Sequence, residues 1–196
     1  MVKYLGVYGM IVKLNLGCGF DKRDGYVNLD GFSKCNPDIL WDIENIQWPF
    51  ADNTFDEILI KHVLEHVGQT FTMFKSIMQE IYRVSRSNAR IQIQVPNYKH
   101  VTFWADPSHV RAFDQITFEM MSREKNDQWI DQGANYTMLA YIMDVDFLLT
   151  HFSFVADEFA ANSVKDEEDP SRKLWEMNST NWNYVKELRF ELKVIK

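Results

Sequence analysis

Residues 11–30 read I-V-K-L-N-L-G-C-G-F-D-K-R-D-G-Y-V-N-L-D, and the rest of the chain is organised around this stretch. An apolar run stops at Gly17-Cys18-Gly19, and a second short run stops at Asp30. Glycine tolerates positive φ and leaves room for a ligand against the backbone. A carboxylate at the tip of the next strand can accept hydrogen bonds from both hydroxyls of a ribose. The pattern predicts a strand, a glycine turn and a second strand, with a nucleoside site at their ends.

The composition of the whole chain is that of a folded domain. Its 196 residues, of which 46% are apolar and 14% aromatic, favour a single domain with a substantial core. The formal net charge of −7 argues against nucleic-acid partners. The two cysteines, Cys18 and Cys35, form no disulfide or zinc-type pattern, and no run approaches the ~18 apolar residues of a membrane span. We find no signal peptide at the N-terminus and predict a cytoplasmic protein.

The rest of the chain alternates predicted strands with helices or loops. Strands are predicted at 11–16, 26–30, 37–42, 55–60, 91–95, within 147–159, and at 188–195. Apolar residues at three- and four-residue steps predict a helix over 69–85, and Asp114 is a predicted N-cap for a helix to about Arg123. Only nine residues separate Gly19 from Leu29, which is too short for a full crossover helix. The class is therefore α/β with a mostly parallel sheet.

Ligands of such sheets bind outside the carboxyl ends of the strands. The predicted tips at that edge are Gly17–Gly19, Asp30, Asp42, Lys61–His62 and Pro96–Asn97. A dinucleotide fingerprint requires a third glycine where this chain has Lys22, and an acid about 20 residues further on, whereas Asp30 follows Gly19 too closely. The phosphate-binding pattern G-x-x-x-x-G-K-[ST] is also absent from the sequence. What remains is a nucleoside ligand without phosphates.

Five blocks in consistent order resemble class I S-adenosylmethionine-dependent methyltransferases, and most closely the small single-domain type 11 group. These blocks are L-N-L-G-C-G (14–19), Y-V-N-L-D (26–30), W-D-I (41–43), W-P-F-A-D-N-T-F-D (48–56) and H-V-L-E-H-V (62–67). The resemblance implies a Rossmann-like three-layer sandwich, whose seven-stranded, mostly parallel sheet has an antiparallel C-terminal strand. It also implies an enzyme with S-adenosylmethionine as cofactor and S-adenosylhomocysteine as product. We expect one domain over 1–196, with 1–10 as a candidate N-terminal arm and 97–140 on the acceptor side.

The resemblance further implies which residues contact the cofactor. Gly17, Cys18 and Gly19 would lie under its methionine and ribose parts, and Asp30 would hold the ribose hydroxyls. Asp42 and Ile43 would bracket the adenine, Lys61 and His62 would close over the methionine end, and Leu16 and Gly31 complete the cofactor-binding set. The alternative for Asp30 and Asp42 is a pair of turn-capping acids. The chain departs from many relatives at Asn15, where they carry an acid.

Two histidines are candidate catalytic residues. His66 follows the fourth predicted strand and His109 lies in the loop after the fifth, which overhangs the acceptor pocket in this fold. Methyl transfer depends on alignment, and a base is needed only when the acceptor is a poorly acidic hydroxyl or amine. Either histidine could serve, and each could instead be structural. The predicted acceptor is a small molecule or a saccharide-like compound.

Two other functions stay open from the sequence. The first is a catalytically silent methyltransferase-like domain that serves for binding or assembly. The second is a zinc hydrolase, because residues 62–66 read H-x-x-E-H; that pattern requires a helix through the segment, with both histidines on one face. Since the segment directly follows a predicted strand and precedes Gly68, we expect no metal ligands here.

Overall fold

The computed structural model describes residues 11–196, and the predicted arm at 1–10 lies outside the described residues. A seven-stranded sheet in the order β3-β2-β1-β4-β5-β7-β6 forms its centre. The strands are β1 Lys13–Leu16, β2 Tyr26–Asp30, β3 Ile39–Leu40, β4 Phe55–Lys61, β5 Ser85–Pro96, β6 Phe147–Ala156 and β7 Val185–Val194. Neighbours from β3 to β5 are parallel, and β7 runs antiparallel to β5 and β6. The predicted fold class is confirmed.

No helix lies between β1 and β2, as their short spacing predicts. Buried Asn15 holds the connection instead, since its side-chain amide donates to the Asp21 carbonyl at 2.9 Å and to Asn28 Oδ1 at 3.0 Å. The same Asn28 oxygen accepts from the Arg23 backbone N–H at 2.8 Å. Asn15 therefore fixes the loop that follows the glycine turn.

Helix α1, Phe71–Val84, connects β4 to β5 and matches the prediction to within two residues. Thr70 caps it by accepting the Met73 N–H at 3.2 Å. Its buried apolar face consists of Phe74, Ile77, Met78, Ile81 and Val84. Strand β5 begins at Ser85, directly after the helix and six residues before the predicted start, because the polar segment 85–90 already pairs with β4 across an irregularity.

The second half of the chain contains six short helices. They are α2 Val101–Ala105, α3 Gln115–Glu119, α4 Arg123–Asp131, α5 Leu139–Met143, α6 Glu158–Ser163 and α7 Pro170–Thr180. Asp114 caps α3 as predicted, but the helix ends at Glu119, because the chain turns there and Ser122 caps a new helix. Trp175 of α7 packs on Phe152 and Phe154 of β6, with ring centroids 5.0 and 5.3 Å apart.

The parallel strands place their carboxyl ends at one edge of the sheet, as the sequence predicts. Because β7 is antiparallel to β5, its first residues come to the same edge, and Glu187 is the register partner of Pro96. Residues from the middle and from the far end of the chain therefore meet there. No helix within residues 11–196 has the length and apolar character needed to cross a membrane.

Candidate cofactor and acceptor site

The glycine turn after β1 is fixed by the neighbouring strand. The backbone N–H groups of Gly17 and Cys18 both donate to the Leu29 carbonyl, at 2.8 and 3.0 Å. Gly17 has φ +68°, and a Cβ there would meet Val63 Cγ2 at 2.4 Å. Gly19 has φ +50°, but a Cβ there would meet no described atom within 4 Å. Packing thus requires Gly17, whereas Gly19 leaves open space beside the backbone.

Asp30 ties this turn to the tip of β2. Its Oδ2 accepts the Gly19 N–H at 2.8 Å, and its Oδ1 accepts the Phe32 N–H at 2.7 Å. The carboxylate therefore does cap local turns, which was the alternative to ribose binding. Each carboxylate oxygen can still accept a further hydrogen bond. The half-buried side chain is thus rigidly placed beside the open space at Gly19.

The segment after β3 lies against Gly31, the residue that follows Asp30. Gly31 stands 3.7 Å, measured from an added Cβ, from the Asp42 Cα and from the Trp41 carbonyl. Asp42 is exposed and its Oδ1 accepts the Glu44 N–H at 2.9 Å, while Ile43 is buried and its carbonyl accepts the indole N–H of Trp48. The structure therefore brings Asp42 and Ile43, which are predicted to contact the adenine, close to Asp30, which is predicted to hold the ribose.

Lys61, at the end of β4, reaches across to the loop after the glycine turn. Its Nζ lies 3.1 Å from Asp21 Oδ2, which also pairs with Arg23 at 3.1 Å. Hydrogen bonds from Lys61 and Arg23 lower the pKa of the Asp21 carboxyl. This link was not predicted, although the charged run D-K-R-D at residues 21–24 was a signal for it.

Cys18 and Cys35 are both buried and free. Burial, with smaller contributions from Asp30 and Cys35, raises the pKa of the Cys18 thiol to about 11. The thiol is therefore neutral at physiological pH, and it acts as a small apolar side chain under the turn.

His62 faces the side of the edge where the acceptor is predicted to bind. Its backbone has φ +53°, its Nε2 lies 2.8 Å from Glu187 Oε2, and its Nδ1 lies 3.3 Å from Glu65 Oε1. The hydrogen bond to Glu187 and the neighbouring Glu65 raise the pKa of His62 to about 9, so the imidazole is protonated at neutral pH. Its predicted contact with the methionine end of a cofactor stays a prediction. Glu187 lies too far along the sequence for any local pattern to reveal this pairing.

A cavity of about 420 Å³ opens beside His62. Its charged and titratable lining residues are His62, Glu65, His66, Asp106, His109 and Glu187, together with Lys186. Two bonds dock the loop after β5 onto the segment after β4. The Val110 N–H donates to the Glu65 carbonyl at 2.7 Å, and Arg111 Nη2 donates to the Gly68 carbonyl at 2.6 Å.

This docking brings the two predicted catalytic histidines together. The ring centroids of His66 and His109 lie 4.6 Å apart in an edge-to-face arrangement. Nδ1 of His109 lies 2.6 Å from the Phe103 carbonyl, which can only accept, so Nδ1 carries the hydrogen. Nε2 of a neutral His109 therefore carries a free lone pair. The sequence singled out both residues but did not predict their contact.

The helix that the H-x-x-E-H pattern needs is absent from residues 62–66, which form turns before α1 begins at Phe71. The structure thus removes the basis for interpreting the segment as a zinc-peptidase motif.

Among the aromatic residues of the loop after β5, the ring of Phe103 packs against that of His109 with centroids 5.0 Å apart. Phe113 belongs to the core, whereas Trp104 is largely exposed.

Comparison with known proteins identifies similar domains and folds. Residues 29–93 match a family model described as a methyltransferase domain. The fold is similar to that of an S-adenosylmethionine-dependent methyltransferase from Archaeoglobus fulgidus, with TM-score 0.59 and 15% identity over 94% of this chain and 86% of that chain. No curated protein sequence matches the chain.

Two further solved structures show the same fold. One is a putative S-adenosylmethionine-dependent methyltransferase from Listeria monocytogenes, with TM-score 0.51 and 12% identity over 95% of this chain and 90% of that chain. The other is the [4+2]-cyclase SpnF, with TM-score 0.53 and 11% identity over 95% and 76% of the two chains. Identities this low show the fold alone.

The matched family segment runs from β2 into β5 and so contains Asp30, Asp42 and the 62–67 block. These findings agree with the predicted class, enzyme type and cofactor: residues 29–93 match the methyltransferase domain model, and the fold is that of solved S-adenosylmethionine-dependent methyltransferases. The roles of individual residues stay predictions.

Proposed function

We propose that this methyltransferase acts on a small, polar, saccharide-like acceptor bound in the cavity beside His66 and His109. The observation that carries this proposal is the size and lining of the cavity. About 420 Å³ lies within the range of small-molecule sites, roughly 300–1,000 Å³. Its lining of histidine, carboxylate and lysine side chains suits an acceptor that presents hydroxyl groups.

The residues at the neighbouring strand tips fit the cofactor. S-adenosylmethionine, when bound, supplies a methyl group on a cationic sulfonium. Gly19 leaves open space beside the backbone, and the fixed carboxylate of Asp30 keeps lone pairs for ribose hydroxyls. Asp42 is exposed next to Gly31, where it can accept from an adenine amino group. We assign the rest of the cofactor contacts to Leu16, Gly17, Cys18, Ile43, Lys61 and His62.

His109 is the better placed of the two candidate bases. The Phe103 carbonyl holds its Nδ1–H, so Nε2 is available to accept a proton from an acceptor hydroxyl. His66 lies against it and lines the same cavity. No nucleic acid is proposed as acceptor, because the chain carries a net charge of −7. We retain the cytoplasm as the proposed location, in keeping with two free cysteines.

A catalytically silent domain is the second candidate. The observation that favours it is the similarity in fold to SpnF, which is described as a [4+2]-cyclase rather than as a methyltransferase. The same edge of the sheet would then bind a nucleoside ligand without transferring its methyl group.

Transfer of a labelled methyl group separates the two candidates. The purified protein is incubated with methyl-labelled S-adenosylmethionine and a panel of sugars and small hydroxy acids. We expect label on at least one acceptor, and a loss of roughly 10²-fold in His109→Ala, typical of removing a general base. His151→Ala, an exposed histidine on β6, is the matched control and keeps full activity. Cofactor binding without transfer to any acceptor would support the silent domain.

A further inference from the structure

Glu65 is a buried carboxylate without a hydrogen bond. Its side chain is 1% exposed, and neither oxygen accepts a hydrogen bond from any residue in the described range 11–196. Native proteins compensate buried carboxylates with hydrogen bonds, ion pairs or a metal. Here the compensation is partial, because Nδ1 of His62 forms an ion-pair contact with Oε1 of Glu65 at 3.3 Å but without hydrogen-bond geometry. Glu65 is among the residues that line the cavity beside His66 and His109.

Two imidazoles stand beside this carboxylate. One ligand atom each from Glu65, His66 and His109 lies within 4.8 Å of the other two. Atoms bound about 2.1 Å from a common ion lie at most about 4.2 Å apart. Side-chain movements of roughly an ångström would therefore let all three reach one ion.

Hydrogen bonds at Nδ1 of His66 and His109 fix the tautomer that can bind a metal ion through Nε2. Ser108 Oγ donates to Asp106 Oδ1 at 2.6 Å, which leaves it to accept from Nδ1–H of His66 at 2.8 Å. The Phe103 carbonyl accepts from Nδ1–H of His109 in the same way. Metal-binding histidines commonly donate their second N–H to a carbonyl, carboxylate or hydroxyl, which fixes the tautomer and ring orientation. Both Nε2 atoms are thus free to act as ligands.

The ligand atoms of the cluster indicate the kind of ion that it can bind. Glu65 offers a carboxylate oxygen, and His66 and His109 each offer an imidazole nitrogen. Two neutral imidazoles and one carboxylate form a ligand set suited to first-row transition metals, whereas Mg²⁺ prefers oxygen ligands alone.

We propose that Glu65, His66 and His109 bind one divalent transition-metal ion, such as Zn²⁺ or Mn²⁺, and that the open positions of the ion bind oxygen atoms of the acceptor. The second clause rests on the proposed function, and the first does not. With an ion bound, this arrangement replaces the role of His109 as a base: its Nε2 would be a ligand, and the ion would lower the pKa of a bound hydroxyl, whose proton would pass to solvent. The sequence pattern pointed to His62 and His66, but the fold turns His62 toward Glu187 and replaces it with His109.

Equilibrium dialysis of untagged protein against Zn²⁺ or Mn²⁺, followed by metal analysis, tests the site directly. We expect one ion per chain in the wild type and no comparable retention of Mg²⁺. Glu65→Gln, His66→Ala and His109→Ala should each weaken binding at least about 10-fold. His151→Ala is the matched control and should bind like the wild type. No bound ion in the wild type, or equal binding in the three variants, would overturn the proposal.

The rise in melting temperature with S-adenosylhomocysteine is measured on the same variants. A retained rise in Glu65→Gln shows that a loss of metal is not a loss of fold. Metal binding without any response to S-adenosylhomocysteine would leave the ion site standing and overturn the proposed function. If S-adenosylhomocysteine binds and methyl transfer is unaffected by complete removal of the metal, the acceptor clause is wrong.

Discussion

Gly17 and Gly19 both have positive φ, yet they serve different purposes. Gly17 touches Val63, whereas Gly19 borders open space. Gly17→Ala should lower the free energy of unfolding by about 2–4 kcal/mol, from the left-handed backbone and the clash with Val63 Cγ2. Gly19→Ala should cost only about 1–2 kcal/mol, but its Cβ enters the space proposed for the cofactor, so it should weaken S-adenosylhomocysteine binding more.

Urea unfolding and calorimetric titration check this contrast. The double variant Gly17→Ala/Val63→Ala removes the clash but not the strained backbone. It should therefore lose less free energy of unfolding than the sum of the losses in the two single variants. Equal destabilisation in the two glycine variants, with unchanged ligand affinity in Gly19→Ala, would refute the division of roles.

Asp38 stabilises the loop after the glycine turn through an ion pair that depends on pH. The ion pair with Lys22 at 2.8 Å, together with the Asn28 backbone N–H, lowers the pKa of Asp38 from 3.8 to about 2. A depressed carboxyl pKa contributes stability above the unfolded value, and this contribution is lost as pH falls toward the folded value. Because the pair is partly exposed, we expect less than about 1 kcal/mol.

The test is urea unfolding of wild type and Asp38→Asn between pH 7 and pH 3. The difference in free energy of unfolding should be constant above about pH 5 and should shrink as pH falls below that. A difference that grows on acidification would contradict the assignment. Lys22→Met, which removes the other partner, should flatten the same dependence.

Features of the site could be predicted where they depend on residues adjacent in the sequence, and were missed where they depend on contacts between distant residues. The turn at Gly17–Gly19 and the tip at Asp30 follow from a few neighbouring letters. The Glu187 partner of His62 and the link between Lys61 and Asp21 depend on strand order and side-chain direction, which no local pattern contains. The contact of His66 with His109 likewise needs the docking of two loops.

At the level of elements, the loop after β5 is held over the segment after β4 largely by Arg111. Its guanidinium donates to the Gly68 carbonyl and lies 4.2 Å from the centre of the Phe74 ring. Arg111→Met should lower the free energy of unfolding by about 1–3 kcal/mol through loss of this bond and ring contact. It should also separate His109 from His66, and so reduce methyl transfer more than S-adenosylhomocysteine affinity.

Labelled methyl transfer and calorimetric titration on the same sample measure the two effects. Arg172→Met on α7 is the control, because Arg172 is exposed and pairs with Glu176 on its own helix. Equal losses of turnover and cofactor affinity in Arg111→Met would contradict a role confined to the acceptor side.

The bounds of helices and strands were predicted correctly where the apolar periodicity is strong. They were missed where tertiary packing sets the bounds. The apolar face of α1 and the tips of β2 and β4 were placed to within about two residues. The extra turn that divides α3 from α4 was missed, because Asp114 and Ser122 are both good caps and only the buried Phe118 and Met121 fix where the chain bends. The early start of β5 was missed because its first residues are polar.

For the molecule as a whole, the class of fold could be predicted from the sequence. Parallel apolar strands, a missing crossover helix after β1 and five ordered blocks defined a methyltransferase sheet. The order of β7 and β6 gives the site its Glu187 and Lys186, and this could be inferred only from the family's topology. The shape and lining of the cavity beside His66 and His109 were not predictable, because the cavity is built from loops whose mutual position is set by tertiary contacts.

We infer that the glycine turn and Asp30 bind the nucleoside part of the cofactor. Calorimetric titration with S-adenosylhomocysteine tests it on wild type, Asp30→Asn and, as a distant control of the same chemistry, Asp144→Asn. We predict one-to-one binding to the wild type and to Asp144→Asn, and at least about 10-fold weaker binding to Asp30→Asn, as expected for losing charged hydrogen bonds. Absence of binding to the wild type, or equal affinity in folded Asp30→Asn, would contradict the claim.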